Sequence, residues 1–184
     1  MTLGQEFHGW GFTINDEIEN LRAAQEHLKI VNLGATAIGT TVTAAPGYPE
    51  LAVKNLAELT GIDFKNSEDL IAATSDCGAY MTLSSAIKGL AVKMTKVCND
   101  IRLLASGPRC GLKEINLPQL QPGSSIMPGK VNPVAAEVAN QASFLAIGLD
   151  TTVMLAASAG QLELNVMEPV ITFALYTPVS YTHL

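Results

Sequence analysis

The longest regular pattern in the chain is a run of apolar positions at Tyr80, Leu83, Ile87, Leu90, Met94, Val97, Ile101 and Leu104, spaced alternately by three and four residues. An α-helix turns every 3.6 residues, so this spacing collects them on one stripe and predicts a long helix packed in a bundle. Its expected start lies at residues 67–69, and Ser106-Gly107-Pro108 supplies a stop, because Gly and Pro end helices. Lys88, Lys93 and Lys96 fall outside the stripe and read as solvated or subunit-facing charges.

The N-terminal stretch repeats the signal more loosely. Phe7, Trp10, Ile14, Ile18, Leu21, Leu28 and Val31 stand three, four or seven apart and predict one amphipathic helix ending near Asn32-Leu33-Gly34. Residues 34–49, rich in Gly, Thr, Ala and Pro, keep neither the helical nor the strand period and read as a long ordered loop turning at Pro46-Gly47. A short helix is expected over residues 50–59, closed by Thr60-Gly61. Pro133 opens another helical pattern, with Val134, Val138, Leu145, Leu149 and Thr152 on one side, running to about Ala159-Gly160. Pro suits a first helical turn, and Asn132 before it is a strong N-cap type. A last helix is expected from near Leu162, carrying Val166, Val170 and Phe173. With no strand, repeat or low-complexity segment in view, the fold class is all-α, a long-helix bundle.

Composition changes this picture in one respect. Charged residues make up only 15% of the 184 and the mean hydropathy is +0.26, so some apolar surface is expected to lie against partner subunits. A membrane does not explain the excess, because no stretch of about 18 apolar residues runs without a charge or strongly polar residue. A net charge of -6 without any Lys/Arg run argues against nucleic acid, whose phosphates need a clustered basic footprint. Any anionic substrate must therefore be held by local positive groups. Cys77, Cys98 and Cys110 are odd in number and widely spaced, which indicates neither a disulfide framework nor a metal site and fits a reducing cytoplasm. Cys98, beside the long seam, reads as a small core residue rather than a nucleophile.

Between the two long helices lies Gln121-Pro122-Gly123-Ser124-Ser125-Ile126-Met127-Pro128-Gly129-Lys130-Val131-Asn132-Pro133. Its glycines and prolines exclude a regular helix, while hydroxyls, an ammonium and an amide are delivered beside a helix N-terminus. Two readings fit: a solvated connector ending in a cap, or a loop that binds a carboxylate with help from backbone N–H groups and the helix dipole.

Gly123 to Pro133 has the form G-S-S-x-M-P-x-K-x-N-P, and in it the chain resembles the aspartase/fumarase superfamily. Thr2-Leu3-Gly4-Gln5-Glu6-Phe7, Gly34-Ala35-Thr36-Ala37-Ile38-Gly39-Thr40 and the run from Asn99 to Arg109 look like their counterparts there, so the likeness covers residues 1–175 as one partial central lyase domain. The flanks Glu114-Ile115-Asn116-Leu117-Pro118 and Leu164-Asn165-Val166-Met167-Glu168-Pro169-Val170 are similar to the ammonia-lyase branch more than to the fumarases. The resemblance implies a carbon–nitrogen lyase acting on a small dicarboxylate without a cofactor, in a homotetramer whose active sites are shared between subunits. It implies Ser124 as general base, Lys130 and Asn132 as carboxylate ligands, and the amides around Ser125 and Ile126 as enediolate stabilisers. Glu137 matches a carboxylate that pairs with a histidine in the family, or is an ordinary acidic residue near a helix N-terminus.

Two departures accompany the likeness. The family's Thr-His dipeptide and its Ser/Thr-rich substrate loop have no counterpart here, and His8, His27 and His183 do not replace that histidine. Thr177-Pro178 is expected to interrupt the last helix, and residues 176–184 form an atypical tail, which suggests a truncated or mis-joined sequence. A hydratase fragment, with water in place of ammonia, and a non-catalytic helical scaffold are the competing readings.

Overall fold

The computed structural model describes residues 1–181. Helix α1, Leu3–His27, opens with a reciprocal cap: Gln5 N–H donates to Thr2 Oγ1 at 3.2 Å, and Thr2 N–H donates to Gln5 Oε1 at 2.8 Å. It stops short of the expected end. The β-branched pair Ile30–Val31 (β1) leaves the helix and runs parallel to Lys65–Asn66 (β2), which with an isolated antiparallel bridge between Gln161 and Leu164 departs from an all-helical chain. Here the non-local ladder, with Lys65 N–H on Lys29 O and Ser67 N–H on Val31 O, wins over the helical period. The loop between them is ordered, as expected, with one 3-10 turn at Ala37–Gly39, and α2 spans Tyr48–Thr60 with Gly61 as left-handed cap.

The seam helix begins later than its pattern suggests. Asp69 accepts from the N–H groups of Ile71 and Ala72 in a turn, and the helix that follows is only α3, Ala72–Ser75, capped by Ile71. Asp76 and Cys77 break it, and the long helix α4 is Gly78–Leu104. After the loop through residues 105–133 comes α5, Val134–Ser158, and then α6, Glu168–Tyr181, which starts six residues after Leu162. Thr177-Pro178 does not interrupt α6, since Pro178 is buried within it and Thr177 Oγ1 donates to Phe173 O. His183 lies outside the described residues.

Which residues are buried departs from the apolar stripes. On α4 the deeply buried line is Ser84, Ala91 and Cys98, and on α1 it is Trp10, Glu17 and Ala24, each seven apart. On α5 it is again mostly small residues: Ala136, Asn140, Ala142, Ser143, Ala146, Val153 and Ala156. The large residues expected on the inner side of α5 are only half-buried, and Val138 is exposed. Small side chains let antiparallel α4 and α5 approach closely, and the larger ones flank that contact with one side open. Ser84 Oγ and Lys88 Nζ both donate to Asp150, at 2.7 and 2.5 Å, and Asn140 Nδ2 donates to Asn99 Oδ1 at 2.8 Å. Lys93 pairs with Glu17 of α1 at 2.5 Å, and Lys96 with Asp100. These lysines therefore serve contacts inside the chain rather than standing free. Helix α5 has the length and apolarity to cross a membrane by composition alone, yet its Asn140 Nδ2 and its Asp150 carboxylate are paired with α4, while Asn140 Oδ1 is buried without a hydrogen-bond partner.

At the far end Cys77, Val153, Ala156, Ile171 and Ala174 form the most deeply buried cluster. Burying a Val or Ile side chain is worth about 1.5–3 kcal/mol. Asn165 completes this end: its Nδ2 donates to Ala156 O at 3.1 Å, Ala157 O at 3.2 Å and Cys77 Sγ at 3.4 Å, while its Oδ1 accepts from Met167 N–H. It thus ties the end of α5 to the start of α6. All three cysteines are free, and burial pushes the thiols of Cys77 and Cys98 up, the opposite of what a nucleophile needs.

Candidate active site

The Gly-Ser-Ser loop is closed at a narrow neck. Gly123 packs so tightly on Lys130 that a Cβ there would lie 2.1 Å from the Lys130 carbonyl oxygen. Asn132 Nδ2 donates across the same neck to Gly123 O at 2.9 Å. Asn132 is consequently not the helix cap; that position belongs to Pro133, which makes no side-chain cap bond. Gly129 turns the chain with φ 74°, a left-handed conformation that favours glycine.

At the tip, Ser124 Oγ accepts from the backbone N–H of Ile126 and of Met127, both at 3.1 Å. Two donors aimed at one oxygen stabilise negative charge on it. The Ile126 amide is thereby directed at Ser124 rather than outward, while the side chains of Ser125 and Ile126 are exposed.

Below the tip, a cleft of about 760 Å³ runs between the end of α4, the loop through residues 105–117 and the start of α5. Lys130, Asn132 and Glu137 line it together with Arg102, Lys113 and Asn116; Ser124, Ser125 and Ile126 do not. The expected site residues thus divide into a cationic cleft at the base and a hydroxyl at the tip. With three cations against one carboxylate, the cleft favours an anion. Neither His8 nor His27 lines it, and both are exposed on α1. Among the described residues no group of three or more His, Cys, Asp or Glu side chains is gathered for a metal.

Arg102, Lys113 and Asn116 were not singled out by the sequence reading. Arg102 lies off the apolar stripe of α4, and Lys113 enters only because the chain folds back, with Lys113 N–H on Ser106 O and Glu114 N–H on Leu104 O. No periodic signal marks either residue.

A helical bundle with a Gly-Ser-Ser loop whose closing residues, Gly129 to Pro133, line a cationic cleft defines a lyase of the aspartase/fumarase type. Residues 1–148 match the family model described as Lyase, and the chain belongs to that family. It is 60% identical to the aspartate ammonia-lyase of Escherichia coli strain K12 over 179 residues, covering 97% of this chain and 37% of that protein. Among solved structures it is similar to a Brucella melitensis fumarate lyase:delta crystallin bound to cobalt, at 46% identity and a TM-score of 0.93, covering 99% of this chain and 40% of that one. It is also similar to the class II fumarase of Schistosoma mansoni, at 33% identity and a TM-score of 0.95, covering 99% and 41%. The chain spans little more than a third of the length of the curated relatives it matches.

Proposed function

We propose that the whole protein is an aspartate ammonia-lyase, which eliminates ammonia reversibly from L-aspartate to give fumarate. The observation carrying this reading is the pair of backbone N–H groups on Ser124 Oγ, because a serine can act as a base only where its alkoxide is stabilised. In the reaction Ser124 Oγ takes the proton from the carbon beside one carboxylate, and the C–H electron pair moves into that carboxylate as an enediolate. The pair returns to form the carbon–carbon double bond as the C–N bond breaks and ammonia leaves. Lys130 holds a substrate carboxylate in the cleft, and Asn132 both secures the neck and presents its remaining amide hydrogen. Ser125 assists at the tip, the Ile126 amide acts through Ser124 Oγ, and Glu137 orients an active-site histidine. Preorganised donors of this kind lower the barrier to the enediolate.

The working form is a homotetramer that shares its sites between subunits. Support comes from the half-open seam of α4 and from Phe144, Phe173 and Tyr176, which are 57%, 62% and 68% exposed. The 184-residue chain alone is then inactive. The fold likeness to a fumarase favours one alternative, hydration of fumarate to malate.

The test is Ser124→Ala in the full-length enzyme. Loss of a general base lowers kcat by about 10² to 10⁴ with little change in KM, whereas Lys130→Ala raises KM as well. A correctly assembled Ser124→Ala enzyme that kept more than about a tenth of wild-type kcat, well short of that range, would remove Ser124 from the role of base. Preference for L-malate over L-aspartate would establish the hydratase instead.

A further inference from the structure

Each of the seven lysines and arginines from Arg22 to Lys96 forms an ion pair within the chain. The remaining four, Arg102, Arg109, Lys113 and Lys130, form none among the described residues. Charge follows the same division. Residues 101–137 hold those four cations and two carboxylates, Glu114 and Glu137, a net +2, while the rest of the chain holds seven cations and fifteen carboxylates, a net -8, which together give -6. A carboxylate beside a cation cancels most of its field, whereas an unpaired cation projects its field into solvent over about 8–10 Å at ordinary salt. Three of the four line the cleft, whose low-dielectric walls concentrate field lines. Arg109 does not: it is exposed on the loop after α4, next to Pro108 at the edge of the cleft.

A chain this acidic repels an anion over most of its surface and attracts it at this one end. We propose that the unpaired cations form an electrostatic funnel that draws anionic substrate and product to the cleft, and that Arg109 contributes through its field without touching either. The inference rests on the dicarboxylate reading above and adds a property that contact residues do not supply. A field responds to net charge rather than to shape. Fumarate carries two negative charges, and L-aspartate, with its ammonium, carries one. Each cation of the funnel therefore shifts the capture of fumarate about twice as much, on a logarithmic scale, as that of L-aspartate.

The test uses full-length enzyme carrying Arg109→Gln, Arg109→Glu or Arg109→Lys, with fumarate affinity read by calorimetry and kcat/KM measured for L-aspartate. For a unit charge about 10 Å from the ligand at about 10 mM salt, Arg109→Gln weakens fumarate binding about threefold and lowers kcat/KM for L-aspartate somewhat under twofold. Arg109→Glu doubles the change in charge, giving losses of about ninefold and threefold. Arg109→Lys keeps the charge and matches wild type, and kcat stays unchanged in all three. At about 0.5 M salt, where screening acts within a few ångström, all variants converge on wild type. Wild-type enzyme that neither binds fumarate nor turns over L-aspartate overturns the dicarboxylate reading and this inference with it. An active wild type alongside Arg109→Glu enzyme that binds fumarate within about twofold at low salt, well short of the expected loss, overturns the inference alone. So does a loss that persists at high salt or that Arg109→Lys shares, either of which makes Arg109 a contact or structural residue. Wild type by itself gives a second reading that no misfolded variant can obscure: its fumarate affinity falls with salt more steeply than its kcat/KM for L-aspartate, and equal slopes overturn the funnel.

Discussion

Gly123→Ala tests the neck that closes the loop carrying Ser124. Gly123 is not in the left-handed region, so the backbone itself accepts alanine and the effect is purely one of space. The new Cβ would sit 2.1 Å from the Lys130 carbonyl oxygen and 2.7 Å from its carbon, both backbone atoms that cannot swing aside. Relief to ordinary contact opens the neck by roughly 1 Å. That movement strains or breaks the 2.9 Å bond from Asn132 to Gly123 O, worth about 1 kcal/mol, on top of about 1–3 kcal/mol of overpacking. The loop is exposed and can absorb the change, so the bundle should melt nearly as before. Catalysis should not survive as well, because a displacement of about 1 Å at a reacting group costs on the order of 10²-fold in rate. The assay is kcat of full-length Gly123→Ala beside its thermal midpoint, with Gly129→Ala as comparison. At Gly129 nothing lies within 4 Å of the added Cβ, and only the left-handed φ is penalised, by about 1–2 kcal/mol. A Gly123→Ala enzyme retaining more than half of wild-type kcat would show that the neck does not set the position of Ser124.

Asn165→Ala strips the joint between α5 and α6, taking the side-chain donor from Ala157 O and the acceptor from Met167 N–H while Ala156 O keeps the Ala159 N–H, so urea denaturation should show a loss of about 1–3 kcal/mol; a loss under about 0.5 kcal/mol would mean that the joint is not rigid. Glu17 is held below its ordinary value near 4.5, first by the hydrogen bond from Lys93, so this pair contributes stability above that value and loses it as pH falls through the lower folded value. Urea midpoints of wild type and Glu17→Gln should accordingly differ at pH 7 and converge on acidification, and a gap that persisted in acid would assign the difference to packing. The purified chain should associate through its open apolar faces, and a stable 19.4 kDa species across a dilution series in light scattering would refute that.

Helices, and the segment carrying the chemistry, were legible in the sequence because both depend on local rules. The three-and-four spacing from Tyr80 to Leu104 is a property of helical geometry, and the glycines and prolines of residues 121–133 exclude helix whatever surrounds them. Burial depended on something else. The stripe marks what is apolar, whereas close approach of α4 to α5 requires what is small, so Ser84, Ala91 and Cys98 went inside and the larger residues stayed half-open. Likewise, Ile30–Val31 left helix α1 for a partner more than thirty residues away, and Asn132 gave up the expected cap for Gly123 O. Arg102 and Lys113 joined the cleft only because the chain folds back after α4. Each of these choices is a competition between a local preference and a contact distant in sequence, and only the tertiary structure contains the second competitor.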